Sequence, residues 1–392
     1  MIFDKLFQLM AEKDASDIFV SAGAPIHIKL QGSVLPINQQ VMAAPTIARI
    51  AAEILSPQQL AQFEREKEIN VSHGVPGVGN FRINMFFQRG SIAIVVRFIT
   101  IDIPQLETLN LPKVLSSIVM EKRGLVLVCG ATGSGKSTTI AAMIDHRASK
   151  RSGHILTVED PIEYLFRHKK SVVNQREIGI DTHSWSEALT NAMRQAPDCI
   201  LIGEIRDQTT MSLALGYAQS GHLCLATLHA NNSYHALNRI FSFFPLENRQ
   251  ALFLDLSASL RGIVSQRLVR RPNGSRLPTC EIMLNTRHIA ELIEKGEVSS
   301  IKEAMEKSLA PGSQTFEQDL CRLHGERIIS LDEALANADS PTNLSWLISN
   351  NQQTYAAVTA ERREAVDGDG ARPEVGAASF AGFTLNLDEY EQ

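Results

Sequence analysis

Apolar residues recur at helical spacing at the start of the chain, where Ile2, Phe3, Leu6, Leu9 and Met10 share one face of residues 2–13. The period then shortens. Asp17–Ser21, His27–Leu30 and Val34–Ile37 read as short strands separated by Gly and Pro turns. Helical spacing returns over Thr46–Leu55 and Pro57–Glu66, and further strands are predicted at Glu68–Ser72, Asn80–Gln88 and Ser91–Ile99. Within Phe81-Arg82-Ile83-Asn84-Met85, apolar and polar positions alternate, as in an antiparallel strand with one wet face. These elements predict a small α+β domain over residues 1–100. Residues 101–113 contain Pro104 and Pro112 and no clear period, so they read as a linker that lets two domains rotate.

From Val114 the pattern changes. Buried-type strands at Leu125–Cys129, Ile155–Val158, Cys199–Ile202 and His222–Thr227 alternate with helices from Lys136, over Trp185–Arg194 and over Thr209–Ser220. Such alternation predicts a mostly parallel sheet covered on both faces. Pro245 to Leu347 is expected to be largely helical, with loops at Arg271–Pro278 and Pro311–Gln314. The second domain therefore spans residues 114–347. Residues 348–392 are rich in Gly, Ala and acids and poor in aliphatics, the composition of a disordered tail.

Charge and composition narrow the partners. The net charge of −5 resides in residues 351–392, which hold eight acids and three bases, so residues 1–350 are formally neutral. A neutral body without an aromatic and basic stripe disfavours a nucleic-acid translocase. The best candidate apolar run, Ile92–Val96, has strand length rather than membrane-spanning length. The N-terminus lacks the basic and apolar regions of a secretory signal, so the chain is expected to stay in the cytoplasm. Cys129, Cys199, Cys224, Cys280 and Cys321 show no C-x-x-C spacing, and the first three sit in apolar runs; buried thiols are expected rather than a zinc site.

Gly130-Ala131-Thr132-Gly133-Ser134-Gly135-Lys136-Ser137 fits G-x-x-x-x-G-K-S/T. The glycines let backbone N–H groups turn inward around phosphate oxygens, and the helix opening at Lys136 aims its positive end at them. Lys136 is expected to reach the β- and γ-phosphates of ATP, and the Ser137 hydroxyl to bind Mg²⁺. The predicted nucleotide-binding set is Gly130, Thr132, Gly133, Ser134, Gly135, Lys136, Ser137 and Thr138. The motif also follows a buried strand and opens a helix, which is the context its chemistry requires.

A phosphate loop of this kind needs a neighbouring strand that delivers a carboxylate. Ile200-Leu201-Ile202-Gly203-Glu204 is the candidate, with Gly203 where an aspartate is usual. Glu204 is then placed to orient or deprotonate water and to support the metal. Thr157-Val158-Glu159-Asp160-Pro161-Ile162-Glu163 brings three carboxylates to a strand end; it reads either as ligand chemistry or as an acidic turn opening a helix at Pro161. Thr227-Leu228-His229 ends another strand, and periodicity alone leaves His229 open between a structural role and a γ-phosphate sensor.

Taken together, Glu159–Glu163, Gly203-Glu204-Ile205-Arg206-Asp207, Thr227-Leu228-His229 and the phosphate loop resemble the Asp box, Walker B, His box and Walker A of the secretion-superfamily ATPases of type II secretion and type IV pili. Ala15–Ile18, Phe81–Asn84 and Val172–Glu177 add a resemblance to the PilT/PilU retraction branch, over about residues 1–350. The resemblance implies a PAS-like N-terminal domain, a RecA-like P-loop NTPase domain and a homohexameric ring. It implies ATP and Mg²⁺ bound between domains, with Arg82 and Arg97 approaching the phosphates and Glu163 assisting Glu204. It implies work at the inner-membrane face of the pilus machinery, where the platform protein is turned and pilin subunits are removed; membrane contact is then through partners only.

One stretch departs from the main retraction motors. Their helix motif Ala-Ile-Arg-Asn-Leu-Ile-Arg-Glu corresponds here to His288-Ile289-Ala290-Glu291-Leu292-Ile293-Glu294-Lys295. The apolar face is kept and both arginines are lost. With the acidic tail, this resembles the accessory members of the branch, which act with a PilT-type ATPase. A non-hydrolysing adaptor ring component is the rival reading; the intact Lys136, Glu163 and Glu204 speak against it.

Overall fold

The computed structural model describes residues 2–30, 32–99, 102–308 and 310–350. The acidic tail expected beyond residue 350 lies outside them. The chain divides into two units, one within Met1–Asp102 and a larger one from Ile103 onward.

The first unit is one antiparallel sheet. Its strands are β1 (Asp17–Val20), β2 (Pro25–Leu30), β3 (Ser33–Val41), β4 (Glu68–Val75), β5 (Gly79–Gln88) and β6 (Ser91–Ile99), in the order β3-β2-β1-β6-β5-β4. The alternation read from Phe81 to Met85 is realised: Phe81, Ile83 and Met85 are buried and Arg82 and Asn84 are not. Helices Ile2–Lys13, Ala44–Ile54 and Pro57–Glu66 supply the other half of this core through Phe3, Leu6, Phe7, Ile47, Ile50 and Phe63. Phe7 stacks on Phe81 with ring centroids 4.2 Å apart. The last of these helices starts at a capping box between Ser56 and Gln59, which satisfies two donors the helix cannot.

The second unit is built on β7 (Gly124–Cys129), β8 (Gly153–Glu159), β9 (Ser171–Glu177), β10 (Cys199–Ile202), β11 (Leu223–Leu228), β12 (Leu260–Arg270) and β13 (Arg276–Leu284), in the order β13-β12-β7-β11-β10-β8-β9. All neighbours run parallel except β12 and β13. Every residue of β7 is buried because both faces of the sheet are covered. Leu125, Leu127 and Cys129 face a core that includes Met211, Leu237 and Leu256, whereas Val126 and Val128 face Ile140, Met143 and Ile144 of helix Lys136–Lys150. This is the α/β arrangement expected of a RecA-like domain. Ile103, Leu109 and Leu111 pack against the second of these cores with Leu106 buried among them, so much of the proline-containing stretch before Val114 is anchored to the second unit.

One sequence reading is corrected, and one strand stands where the sequence pattern assigns no element. Residues 260–284 are not helix and loop but the hairpin β12–β13, closed by a turn over residues 271–275. The strand β12 lies inside the sheet against β7, so its polar Ser265 and Gln266 are buried and no period-2 pattern survives. Ser171–Glu177 forms β9 despite its polar run Asn174–Glu177, because it pairs on one side only. Helix Arg287–Lys295 is present as expected, buries Ile289, Leu292 and Ile293, and ends on Gly296. All five cysteines are buried thiols. Among the described residues, no helix is long and apolar enough to cross a membrane.

Candidate active site

The parallel strands of the second unit end their carboxyl edges around one pocket. Its walls include Thr132, Gly133, Lys136, Ser137, Glu159, Glu163, Glu204 and His229. Four motifs far apart in sequence thus meet where strands β7, β8, β10 and β11 finish, which is where open α/β sheets bind ligands.

The phosphate loop turns from β7 into helix Lys136–Lys150. Lys136 is nearly buried, and its Nζ donates to the carbonyls of Gly130 and Ala131 at 2.8 Å each. Burial holds its ammonium below the ordinary lysine value, and the charges of Glu204 and Glu163 act in the opposite direction. The lysine is therefore folded back onto its own loop. Thr138 Oγ1 and Tyr164 Oη lie 2.7 Å apart, which ties the first turn of the helix to the segment after β8.

Glu204 sits between Arg206 and His229. Its Oε2 accepts from Arg206 Nε at 2.6 Å, and its Oε1 lies 3.2 Å from His229 Nε2. Arg206 also reaches toward Asp160, with Nη1 3.6 Å from Oδ2. His229 thus joins the acidic cluster rather than serving the core, and it is half exposed. Gly203 occupies the position of the missing aspartate. A Cβ added there would lie 3.2 Å from the Glu159 Cα, the Val158 carbonyl oxygen and the Trp185 ring. The Gly203 N–H donates to Val158 O at 2.8 Å, and Thr227 Oγ1 donates to the Gly203 carbonyl. Close backbone approach, not carboxylate chemistry, is what this position serves.

No helix opens at Pro161; residues 160–163 continue as an irregular segment. Glu159 is held there by Thr157 Oγ1 at 2.6 Å and Gln175 Nε2 at 3.1 Å, both donating to its Oε1. Burial pushes the Glu159 carboxyl up to about 7, against the lowering effect of those two bonds. The segment is pinned from β9. Gln175 donates to Tyr164 O at 2.9 Å and accepts from Phe166 N at 2.9 Å, and Glu177 accepts from Ile162 N at 3.1 Å. Asp198, a turn or cap residue by its position, accepts from the His154 N–H at 2.8 Å.

Sequence reasoning missed Gln175, Tyr164 and Gln266 as organisers of this site. Gln266, on β12, bonds to both Ser134 and Thr139. Arg82 and Arg97 belong to the first unit, where they stand opposite each other on β5 and β6. Arg97 Nε donates to Asp17 Oδ1 at 2.8 Å, and the Asp17 carboxylate is buried. That bond relieves the like-charge pairing across the two strands.

A family model described as "Type II/IV secretion system protein" matches residues 1–290. The type IV pilus ATPase PilU of Pseudomonas aeruginosa is 44% identical over 357 residues, covering 91% of this chain and 94% of that protein. The type IV pilus retraction ATPase PilT of the same organism is 38% identical, covering 88% of this chain and all of that protein. Among solved structures, the pilus retraction motor PilT with bound ADP superposes with a TM-score of 0.82 at 37% identity, over 88% of this chain and 98% of that one. The ATPase DotB of Legionella pneumophila follows the same fold with a TM-score of 0.72 at 27% identity, over 85% of this chain and 94% of that one.

Proposed function

This chain belongs to the Type II/IV secretion system protein family, and from that premise we propose that it is an ATP-hydrolysing motor subunit of type IV pilus retraction, acting as an accessory to a PilT-type ATPase. The observation that carries the reading is the single pocket in which the phosphate loop, Glu163, Glu204 and His229 face one another.

In this reading Lys136 leaves the Gly130 and Ala131 carbonyls for the β- and γ-phosphates of ATP, while loop N–H groups hold the remaining oxygens. Glu204, with Glu163 on the same wall, orients and deprotonates the attacking water. His229 senses the γ-phosphate through its contact with Glu204. Arg82 and Arg97 supply transition-state charge, a role in which Arg97 would exchange its Asp17 partner for phosphate.

The donor set suits Mg²⁺. Among the described residues no group of three or more His, Cys, Asp and Glu could hold a metal. Mg²⁺ does not need such a cage, since it keeps waters and binds through substrate phosphates and one or two protein oxygens. The Ser137 hydroxyl and the Glu204 carboxylate are hard oxygens on the pocket wall and would hold it. When bound, the ion neutralises charge on the phosphates.

The assembly we propose is a homohexameric ring in the cytoplasm, against the inner-membrane platform protein, without direct contact with lipid or nucleic acid. The loss of two arginines at Ala290 and Glu294, with the apolar face of that helix intact, supports the accessory role. The test is pilus retraction under load in cells lacking this chain. Restoring the wild-type chain is expected to restore retraction, and the Lys136→Ala chain is not. Equal rescue by both would reject a hydrolytic role and favour an adaptor.

A further inference from the structure

The reading above leaves unexplained a buried glutamine on a strand that contributes nothing to the pocket wall. Gln266 is almost fully buried on β12, beside β7. Its Nε2 donates to the Ser134 carbonyl at 2.7 Å, and its Oε1 accepts from Thr139 Oγ1 at 2.7 Å. The amide therefore bridges the crest of the phosphate loop and the first turn of the helix that follows.

We propose that Gln266 is a positioning residue for nucleotide phosphate, and this rests on the reading that the loop binds ATP. A trans peptide sets its C=O and N–H antiparallel. Drawing the Ser134 oxygen toward β12 turns the Gly135 N–H to the opposite, inner side of the loop, where phosphate oxygens are cradled. The Ser134 hydroxyl is buried without a hydrogen-bond partner among the described protein atoms, so the residue is held through its backbone, its N–H donating to Ala131 O at 3.2 Å and its carbonyl accepting from Gln266.

The loop's glycines carry the same imprint. A Cβ on Gly135 would lie 2.8 Å from Gln266 Nε2, and one on Gly130 would lie 2.6 Å from the Gln266 carbonyl oxygen. Both glycines also have positive φ, 86° and 153°. Gln266 thus closes on the loop from first glycine to last.

The strand that carries it cannot easily yield. Ser265 donates to the buried Glu281 at 3.3 Å, and the Arg267 guanidinium lies 3.9 Å from the centre of the Phe316 ring and pairs with Asp339. A side chain locked by its neighbours holds a ligand site more precisely than one on a free loop.

The test is ADP affinity by calorimetry for the wild type, Gln266→Met, Gln266→Glu, Thr139→Val and Lys136→Ala, with thermal unfolding of each ligand-free chain and the KM and kcat of ATP hydrolysis. Gln266→Met removes both bonds at similar volume. Its ADP Kd and ATP KM are expected to rise about tenfold, the sum of two modest hydrogen bonds, with kcat within about threefold, since bound phosphate can re-form the loop at saturation. Gln266→Glu keeps the Thr139 bond but sets a carboxylate against the Ser134 oxygen and is expected to weaken ADP at least as much. Thr139→Val combined with Gln266→Met should be no worse than Gln266→Met alone. Wild-type affinity in both Gln266 variants, or a loss of thermal stability with Kd unchanged, would overturn the inference. Failure of the wild type to bind ADP, or binding by Lys136→Ala equal to the wild type, would instead overturn the reading of the loop.

Discussion

Replacing Glu159 by glutamine isolates the electrostatic cost of one carboxylate while leaving its contacts in place. Thr157 and Gln175 both donate to Oε1, and an amide oxygen carries two lone pairs and can accept both. What changes is the charge. Burial raises the carboxyl from 4.5 to about 7, so keeping it ionised at pH 8 costs at most about 3 kcal/mol, at ~1.36 kcal/mol per tenfold. The residue is half-buried, so water at its rim makes this an upper bound. A carboxyl raised in the folded state contributes stability that is complete below 4.5 and lost as pH rises through about 7. Glu159→Gln should therefore unfold later than the wild type at pH 8, by on the order of 5 °C for a unit of this size, and most of that gap should be gone at pH 5. Calorimetry of the nucleotide-free chains at both pH values reads this directly. A difference that persists unchanged at pH 5, or a variant that melts earlier at pH 8, would refute the reasoning.

Gly203→Ala presses a methyl group onto the backbone of Glu159 and the Trp185 ring at 3.2 Å, and overpacking of this kind costs roughly 1–3 kcal/mol; a lowered urea midpoint with unchanged slope is the expected result. Glu204→Gln keeps a hydrogen-bonding group beside Arg206 and His229 but removes the base. ATP turnover should fall by roughly 10²–10⁴ while ADP affinity stays within a few-fold, as read by steady-state kinetics and calorimetry.

The parts of the fold visible in the sequence are those decided locally. Leu125–Cys129 could be read because it is apolar at every position, and the strand around Phe81 because its alternation is kept by a sheet with one wet face. The phosphate loop was legible because backbone conformation and phosphate chemistry act within eight residues. The hairpin of residues 260–284 was not, because Gln266 and Ser265 look like surface residues until β7 and β13 flank them. Gln266 acts on Ser134 across 132 positions of sequence, and no periodicity carries that relation. The acidic segment after β8 misled in another way. Pro161 suggested a helix start, yet Gln175 and Glu177 hold residues 162–166 by their backbone groups instead. His229 was undecided in the sequence because only the fold brings it within 3.2 Å of Glu204.

The central claim is that this pocket turns over ATP through Lys136. The most direct measurement is steady-state phosphate release by the purified full chain, alone and with a PilT-type partner, beside Lys136→Ala. The account predicts ATP-dependent release by the wild type that is lost in the variant under both conditions. Release that survives Lys136→Ala, or no release by the wild type in either condition despite bound nucleotide, would contradict it.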